Sequence, residues 1–200
     1  MKAVFSKLYK NRVEPMEDQL PSTSTSVKEE LPQTFNVRYL GFREAKGLWG
    51  IKHTRKPVDT MVASVKESKS DLHIVKLILT KDGCKLESIF KGKIETRYFP
   101  IETISYGVQD LVYTRVFAMI IVKEKSDFPH QSPFECHAFV CDSRQSARKL
   151  TYTLATAFQE YSKKIRSVPH TRPDPRKRFA IDLRTPEEMR TELRHQDSEA

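Results

Sequence analysis

A chain of 200 residues that is 38% hydrophobic and 10% aromatic can bury one substantial core but hardly two, which predicts one domain flanked by tails. Its net charge of +9 suits an anionic partner, whether a phosphoinositide-bearing membrane, a phosphopeptide or a nucleic acid, and selects none of them. Three cysteines exclude a disulfide framework and fit a reducing compartment, and no run of about eighteen apolar residues offers a membrane span.

Lys7, Lys10 and Arg12 interrupt any signal-peptide core at the N-terminus, so a soluble intracellular protein is expected. Residues 1–32, with PSTSTSVKEELP, lack apolar periodicity and read as a flexible tail. From Phe35 the pattern changes. FNVRYLGF alternates Phe35, Val37 and Tyr39 with Asn36, Arg38 and Leu40 and stops at Gly41, which predicts the first strand. In KPVDTMVASVKES, Val58, Met61, Val62 and Val65 form one helical stripe, with Pro57 expected in the first turn. LHIVKLILT, KLESIF and ETRYFPIETISYGV follow as antiparallel strands separated by KDG and KGK. RVFAMIIVKE and FECHAFVC add two more across the polar KSDFPHQSP.

Asp142 and Ser143 are cap residues for a helix of about six turns, whose apolar face carries Ala147, Leu150, Leu154, Ala157, Phe158, Tyr161 and Ile165. Pro169, Pro173 and Pro175 prevent its continuation, so the domain is expected over residues 33–167, followed by a basic, Pro-rich tail over 168–200. Within that tail Thr185, Pro186 and Glu188 form a capping-box pattern, which predicts a short helix over 185–196. Residues 172–200 could fold back on the domain as an internal regulator.

The FECHAFVC run places Cys136, His137 and Cys141 close together and raises the question of a metal or a nucleophilic thiol. Strand alternation sends Cys136 and His137 to opposite faces, and His137 and Cys141 lie roughly 13 Å apart along an extended strand. Neither pair fits one tetrahedral ion at bond lengths of about 2 Å, so no metal and no cofactor are expected. Buried structural cysteines are the default, with Cys141 alone near a helix N-terminus that could lower its pKa. No G-x-S-x-G, P-loop or H-E-x-x-H motif is present, and an enzyme is not expected.

The strings FNVRYLG, ISYGVQD, RVFAMI, ECHAFVC and ARKLTYTLATAF, in this order, resemble a phosphotyrosine-binding (PTB) or phosphotyrosine-interaction domain, most closely the Disabled, Numb and lipoprotein-receptor-adaptor branch. The resemblance covers about two thirds of the chain. It implies an α+β, pleckstrin-homology-like fold: a seven-stranded antiparallel sandwich of two near-orthogonal sheets, capped by the C-terminal helix and with an extra helix after the first strand. It further implies that an extended peptide adds to a sheet edge beside that helix, with an Asn-Pro-x-Tyr turn packed against the helix. The matching edge is Ile104, Ser105, Tyr106, Gly107 and Val108, and the matching helix contacts are Phe158 and, one turn earlier, Leu154. Arg115 matches an arginine of the Disabled-type pattern, and Lys123, Lys125 and His130 fall in a loop that could approach the tyrosine. No arginine pair stands where the strictly phospho-dependent branch keeps one, which points to phosphorylation-independent binding.

Lys66 and Lys69, with Lys91 and Lys93 in a hairpin, are the candidate phosphoinositide patch. The chain carries no nucleic-acid reader pattern, so no nucleic-acid partner is expected even for RPDPRKRF. The expected protein is a monomeric cytoplasmic adaptor, acting at the inner face of the plasma membrane, which links Asn-Pro-x-Tyr receptor tails to trafficking or signalling. A phosphoinositide-binding membrane module with weak peptide affinity is the alternative.

Overall fold

β1 (Gln33–Glu44) organises the molecule because it serves two partners. Its first half pairs with β2 (Ile74–Thr80), and its second half pairs with β7 (Phe134–Val140). The register shifts between Tyr39 and Gly41, where Gly41 takes φ +95°, a conformation open to glycine, so one strand bends to join both halves of the sheet. The computed structural model describes residues 30–68, 71–90, 93–123, 132–166 and 180–191.

β2, β3 (Gly83–Phe90) and β4 (Lys93–Pro100) form an antiparallel meander on one side of β1. The run ETRYFPIETISYGV then splits, where an unbroken strand was expected. β4 ends at Pro100, a 3₁₀ turn spans Ile101–Thr103, and β5 (Ile104–Gln109) begins the other half of the sheet. Two bonds hold this crossover: Thr103 Oγ1 donates to the Pro100 carbonyl at 2.7 Å, and the Ile101 amide to the Asp82 carbonyl at 2.9 Å. β6 (Val116–Val122) pairs with β5 and β7, giving the ladder order β4-β3-β2-β1-β7-β6-β5. These are the seven antiparallel strands of the expected sandwich. An eighth strand, β8 (Ala180–Asp182), extends the ladder beyond β5 and runs parallel to it.

Two apolar clusters follow from strand alternation. Inside the sandwich, Phe35, Val37, Leu77, Phe117 and Phe139 pack with Leu150, Leu154 and Ala157 of α2 (Arg144–Arg166), which plugs the open end. On the outer face, Val58, Met61 and Val62 of α1 (Ile51–Ser68) cover Val116, Ala118, Ile120, Cys136 and Ala138. α1 starts before Lys56, so Pro57 lies inside the helix and not in its first turn. Arg55, one of the residues N-terminal to the proline, donates from Nη1 to both carboxylate oxygens of buried Asp110 at 2.9 and 2.8 Å, a tertiary tie that overrides the proline's preference for a helix start. The cap of α2 is local: the Ser146 amide donates to Ser143 Oγ at 3.0 Å.

Candidate functional site

The five matched residues of β5 do not simply alternate. A register shift between Ile104 and Tyr106 marks a bulge at Ser105, whose hydroxyl donates to the Leu48 carbonyl at 2.8 Å. Ile104 therefore joins the inner cluster, while Tyr106 and Val108 face the α1 side. Gly107 points the other way, towards α2. A Cβ placed on Gly107 would lie 2.6 Å from Leu154 Cδ2, so the missing side chain is what lets strand and helix approach.

Leu154 and Phe158 belong to the inner core, 1% and 7% exposed, and Leu154 forms the floor of the space beside Gly107. Arg115 is placed differently from the edge and helix residues. Its Nε donates to the Cys141 carbonyl at 3.1 Å and its own carbonyl accepts from the Cys141 amide at 2.8 Å, tying the start of β6 to the start of α2.

The expected open edge at β5 is filled. β8 lies along it in register, with Tyr106 opposite Ala180, Gly107 opposite Ile181 and Val108 opposite Asp182, and every residue of β5 is buried. Ile181 packs partly buried against the inner cluster, its Cγ1 3.4 Å from where a Gly107 Cβ would stand. Asp182, 8% exposed, accepts from Tyr106 Oη at 3.1 Å and from Arg184 Nε and Nη2 at 2.8 and 2.5 Å. Burial alone would raise the Asp182 carboxyl, but Arg184 outweighs it, with help from Tyr106, and holds it below the usual carboxylate range. Burial and this carboxylate together push the Tyr106 hydroxyl well up.

Beyond β8 the chain turns into a helix over residues 186–191, within the span expected from the capping box. Its cap has the reciprocal bonds of that motif: the Glu188 amide donates to Thr185 Oγ1 at 3.2 Å, and the Thr185 amide to Glu188 Oε2 at 2.5 Å. Met189, 1% exposed, closes the α1-side cluster. Arg144 pairs with Glu187 at 2.6 Å, Arg148 donates to the Arg184 carbonyl at 3.1 Å, and Arg190 donates to the Leu111 carbonyl. Between this segment and Trp49, Gly50 and Tyr106 lies an open cleft of about 610 Å³, whose remaining walls come from residues 180–184 and 188.

His137 and the cysteines separate as alternation requires. Cys136 faces the α1-side cluster, whereas His137 stands among Tyr39, Phe42 and Phe99, ring centroids 6.0, 5.3 and 4.8 Å away. Tyr39 Oη lies 2.7 Å from His137 Nδ1, and Glu135 Oε2 3.3 Å from Nε2, so a neutral ring accepts from the tyrosine and carries its proton on Nε2. Burial lowers the His137 pKa to about 4 against the raising effect of Glu135. Lys123, one of the loop lysines considered for the tyrosine end, pairs instead with Glu135 at 2.5 Å. Lys125 and His130 lie outside the described residues.

Cys141 is the reverse of an activated thiol. It is 1% exposed, and burial, aided by Asp142, pushes its pKa up to about 12 in spite of the helix N-terminus. Cys136 is pushed to about 12 and Cys84 higher still by the same cause. A disulfide-exchange reagent is expected to label none of the three in the native chain and all three in denaturant. Native labelling of Cys141 at the rate of a free cysteine would contradict this burial. Among the described residues, no group of three or more His, Cys, Asp or Glu is placed to hold a metal, and no helix is long and apolar enough to cross a membrane.

Of the candidate lipid patch, Lys66 and Lys93 are exposed, whereas Lys69 and Lys91 lie outside the described residues. Lys66 Nζ stands 5.8 Å from the Tyr113 ring centroid. Near Lys93, Ile89 and Ile94 face each other across β3 and β4, and with Ile74 at the start of β2 they are 64–73% exposed.

Residues 34–179 match the phosphotyrosine interaction domain (PTB/PID) model, and the chain belongs to that family. It is 31% identical over 144 residues to low density lipoprotein receptor adapter protein 1 of Homo sapiens and of Mus musculus, and to adapter protein 1-B of Xenopus laevis. The match covers 70% of this chain and 44% of each relative, so it spans less than half of their length. Among solved structures, the C-terminal phosphotyrosine interaction domain of mouse APBB2 is 20% identical with a TM-score of 0.49, covering 70% of this chain and 96% of that one.

Proposed function

We propose that the chain is a non-enzymatic cytoplasmic adaptor that takes Asn-Pro-x-Tyr motifs of receptor tails as an added strand on β5, beside α2, and links them to trafficking or signalling. The observation that carries this reading is the β5 edge itself. Its backbone accepts an extended segment, Gly107 keeps the approach free of a side chain, and Leu154 supplies an apolar floor. The family and the receptor-adapter relatives support a docking role, and the three deeply buried thiols give no reactive nucleophile.

The test is a titration of the full chain with an Asn-Pro-x-Tyr receptor-tail peptide. Shifts are expected along Ile104–Val108 and at Phe158, and Gly107→Ala is expected to weaken binding roughly tenfold by placing a methyl in the space that the incoming side chain opposite Gly107 fills. Because the added carbon also requires Leu154 Cδ2 to shift, the unfolding midpoint of the variant is measured alongside binding, which separates a loss in the groove from loosened packing. Binding that leaves those resonances unmoved and ignores the substitution would defeat this reading.

A second reading, a phosphoinositide-binding membrane module with weak peptide affinity, is favoured by the exposed isoleucines beside Lys93 and by exposed Lys66. Co-sedimentation with phosphoinositide vesicles that disappears in Lys66→Glu and Lys93→Glu, without any peptide response, would favour it over the adaptor.

A further inference from the structure

We infer that residues 180–191 are a built-in ligand of the β5–α2 groove, which a receptor-tail peptide must displace and whose chemistry describes the class of peptide the groove fits. The second part of this inference rests on the adaptor reading, whereas the first stands on the contacts of the segment alone. Three features separate the segment from a chance crossing of a tail over a sheet.

First, it uses the recognition groups. Ile181 sits opposite the one residue of β5 that has no side chain and packs against the cluster that contains Leu154. Second, it is anchored on both faces of the edge. Ile181 belongs to the α2 side, Met189 to the α1 side, and Asp182 reaches the Tyr106 hydroxyl between them. Third, the segment is locked in place just past the strand: β8 runs parallel to β5 and passes into a short helix over residues 186–191, capped by the reciprocal Thr185–Glu188 bonds. The groove thus takes an aliphatic residue opposite Gly107 and a carboxylate next to it.

The ladder of β8 is only three residues long, and the Arg144–Glu187 pair beside it is exposed. Short, peripheral elements of this kind open at far lower cost than the core, so displacement by a longer strand is energetically accessible. The apparent affinity of an outside peptide is reduced by the fraction of time the segment is away.

The experiment uses the full chain and its Ile181→Glu variant. That position is only partly buried and belongs to the segment, so the substitution spares the sandwich. Met189→Glu would instead put a charge in the α1-side cluster. The variant is expected to exchange the amides of Tyr106–Gln109 faster than wild type, while those of Leu150–Ala157 stay protected. A synthetic peptide of residues 178–195 should bind the variant and restore that protection, and should bind wild type at least tenfold more weakly. A receptor-tail peptide should show the same tenfold preference for the variant. Equal β5 protection in both proteins, or a 178–195 peptide that binds neither, overturns the inference. If the 178–195 peptide binds and the Asn-Pro-x-Tyr peptide does not, the built-in ligand stands and the receptor-tail reading falls.

Discussion

Replacing Asp110 with alanine is expected to lower the unfolding free energy by about 3–5 kcal/mol, the range for removing one partner of a buried ion pair. Asp110 is fully buried and accepts four bonds: two from Arg55 Nη1, at 2.9 and 2.8 Å, and two from the amides of Val112 and Tyr113, at 2.8 and 2.7 Å. Without it, the guanidinium keeps Asp59 and the Tyr113 ring 5.6 Å away, but two backbone donors lose their acceptor. The turn after β5 and the first part of α1 would loosen together. Leu111 lies in that turn and offers its carbonyl to Arg190, so the docking of residues 180–191 should weaken as well. Asp110→Asn, which retains an acceptor but not the charge, should cost less, roughly 2 kcal/mol. Urea unfolding measures both, and a loss below about 1 kcal/mol for the alanine variant would show that water replaces the carboxylate at no cost.

The second large effect is acid destabilisation through His137. The ring is completely buried, and its pKa of about 4 lies below the 6.5 of an unfolded histidine. Between these values the unfolded chain binds the proton and the folded chain does not, so stability falls as pH drops from 6.5 towards 4. At about 1.4 kcal/mol per pH unit, this residue alone removes about 3 kcal/mol, with no further loss below the folded pKa. Glu135 pulls towards protonation, whereas Arg97 and Lys123 reinforce burial in opposing it. Urea midpoints at pH 7 and pH 4.5 should lie closer together in His137→Gln than in wild type, because an amide can still face Tyr39 and Glu135 without titrating. Equal acid losses in the two proteins would assign the effect to other groups.

His137 also shows how far the sequence could be read. Strand alternation separated it from Cys136, and that separation is what the fold contains, because a period of two is a local property of extended backbone. The cap at Ser143, the apolar face of α2 and the capping box at Thr185 were legible for the same reason. What escaped was set by distant partners. The early start of α1 depends on Arg55 reaching Asp110, and the turn from β4 into β5 depends on the carbonyl of Asp82. The bulge at Ser105, which turns Gly107 towards Leu154, leaves no local mark. β8 was the least legible element. Three residues after a Pro- and Arg-rich stretch carry no strand period, and their pairing partner lies more than seventy residues earlier. Gly107, Leu154 and Phe158 were identified through the family resemblance, while Asp182, Arg184 and Met189, which complete the filled groove, were not.

The most direct measurement is a crystal structure of the chain with a receptor-tail Asn-Pro-x-Tyr peptide. The peptide is expected as a strand on Tyr106–Val108, with an aliphatic side chain beside Gly107 and Leu154 and with residues 180–191 gone from the groove. A complex in which Ala180–Asp182 stay paired to β5 and the peptide sits elsewhere would contradict it.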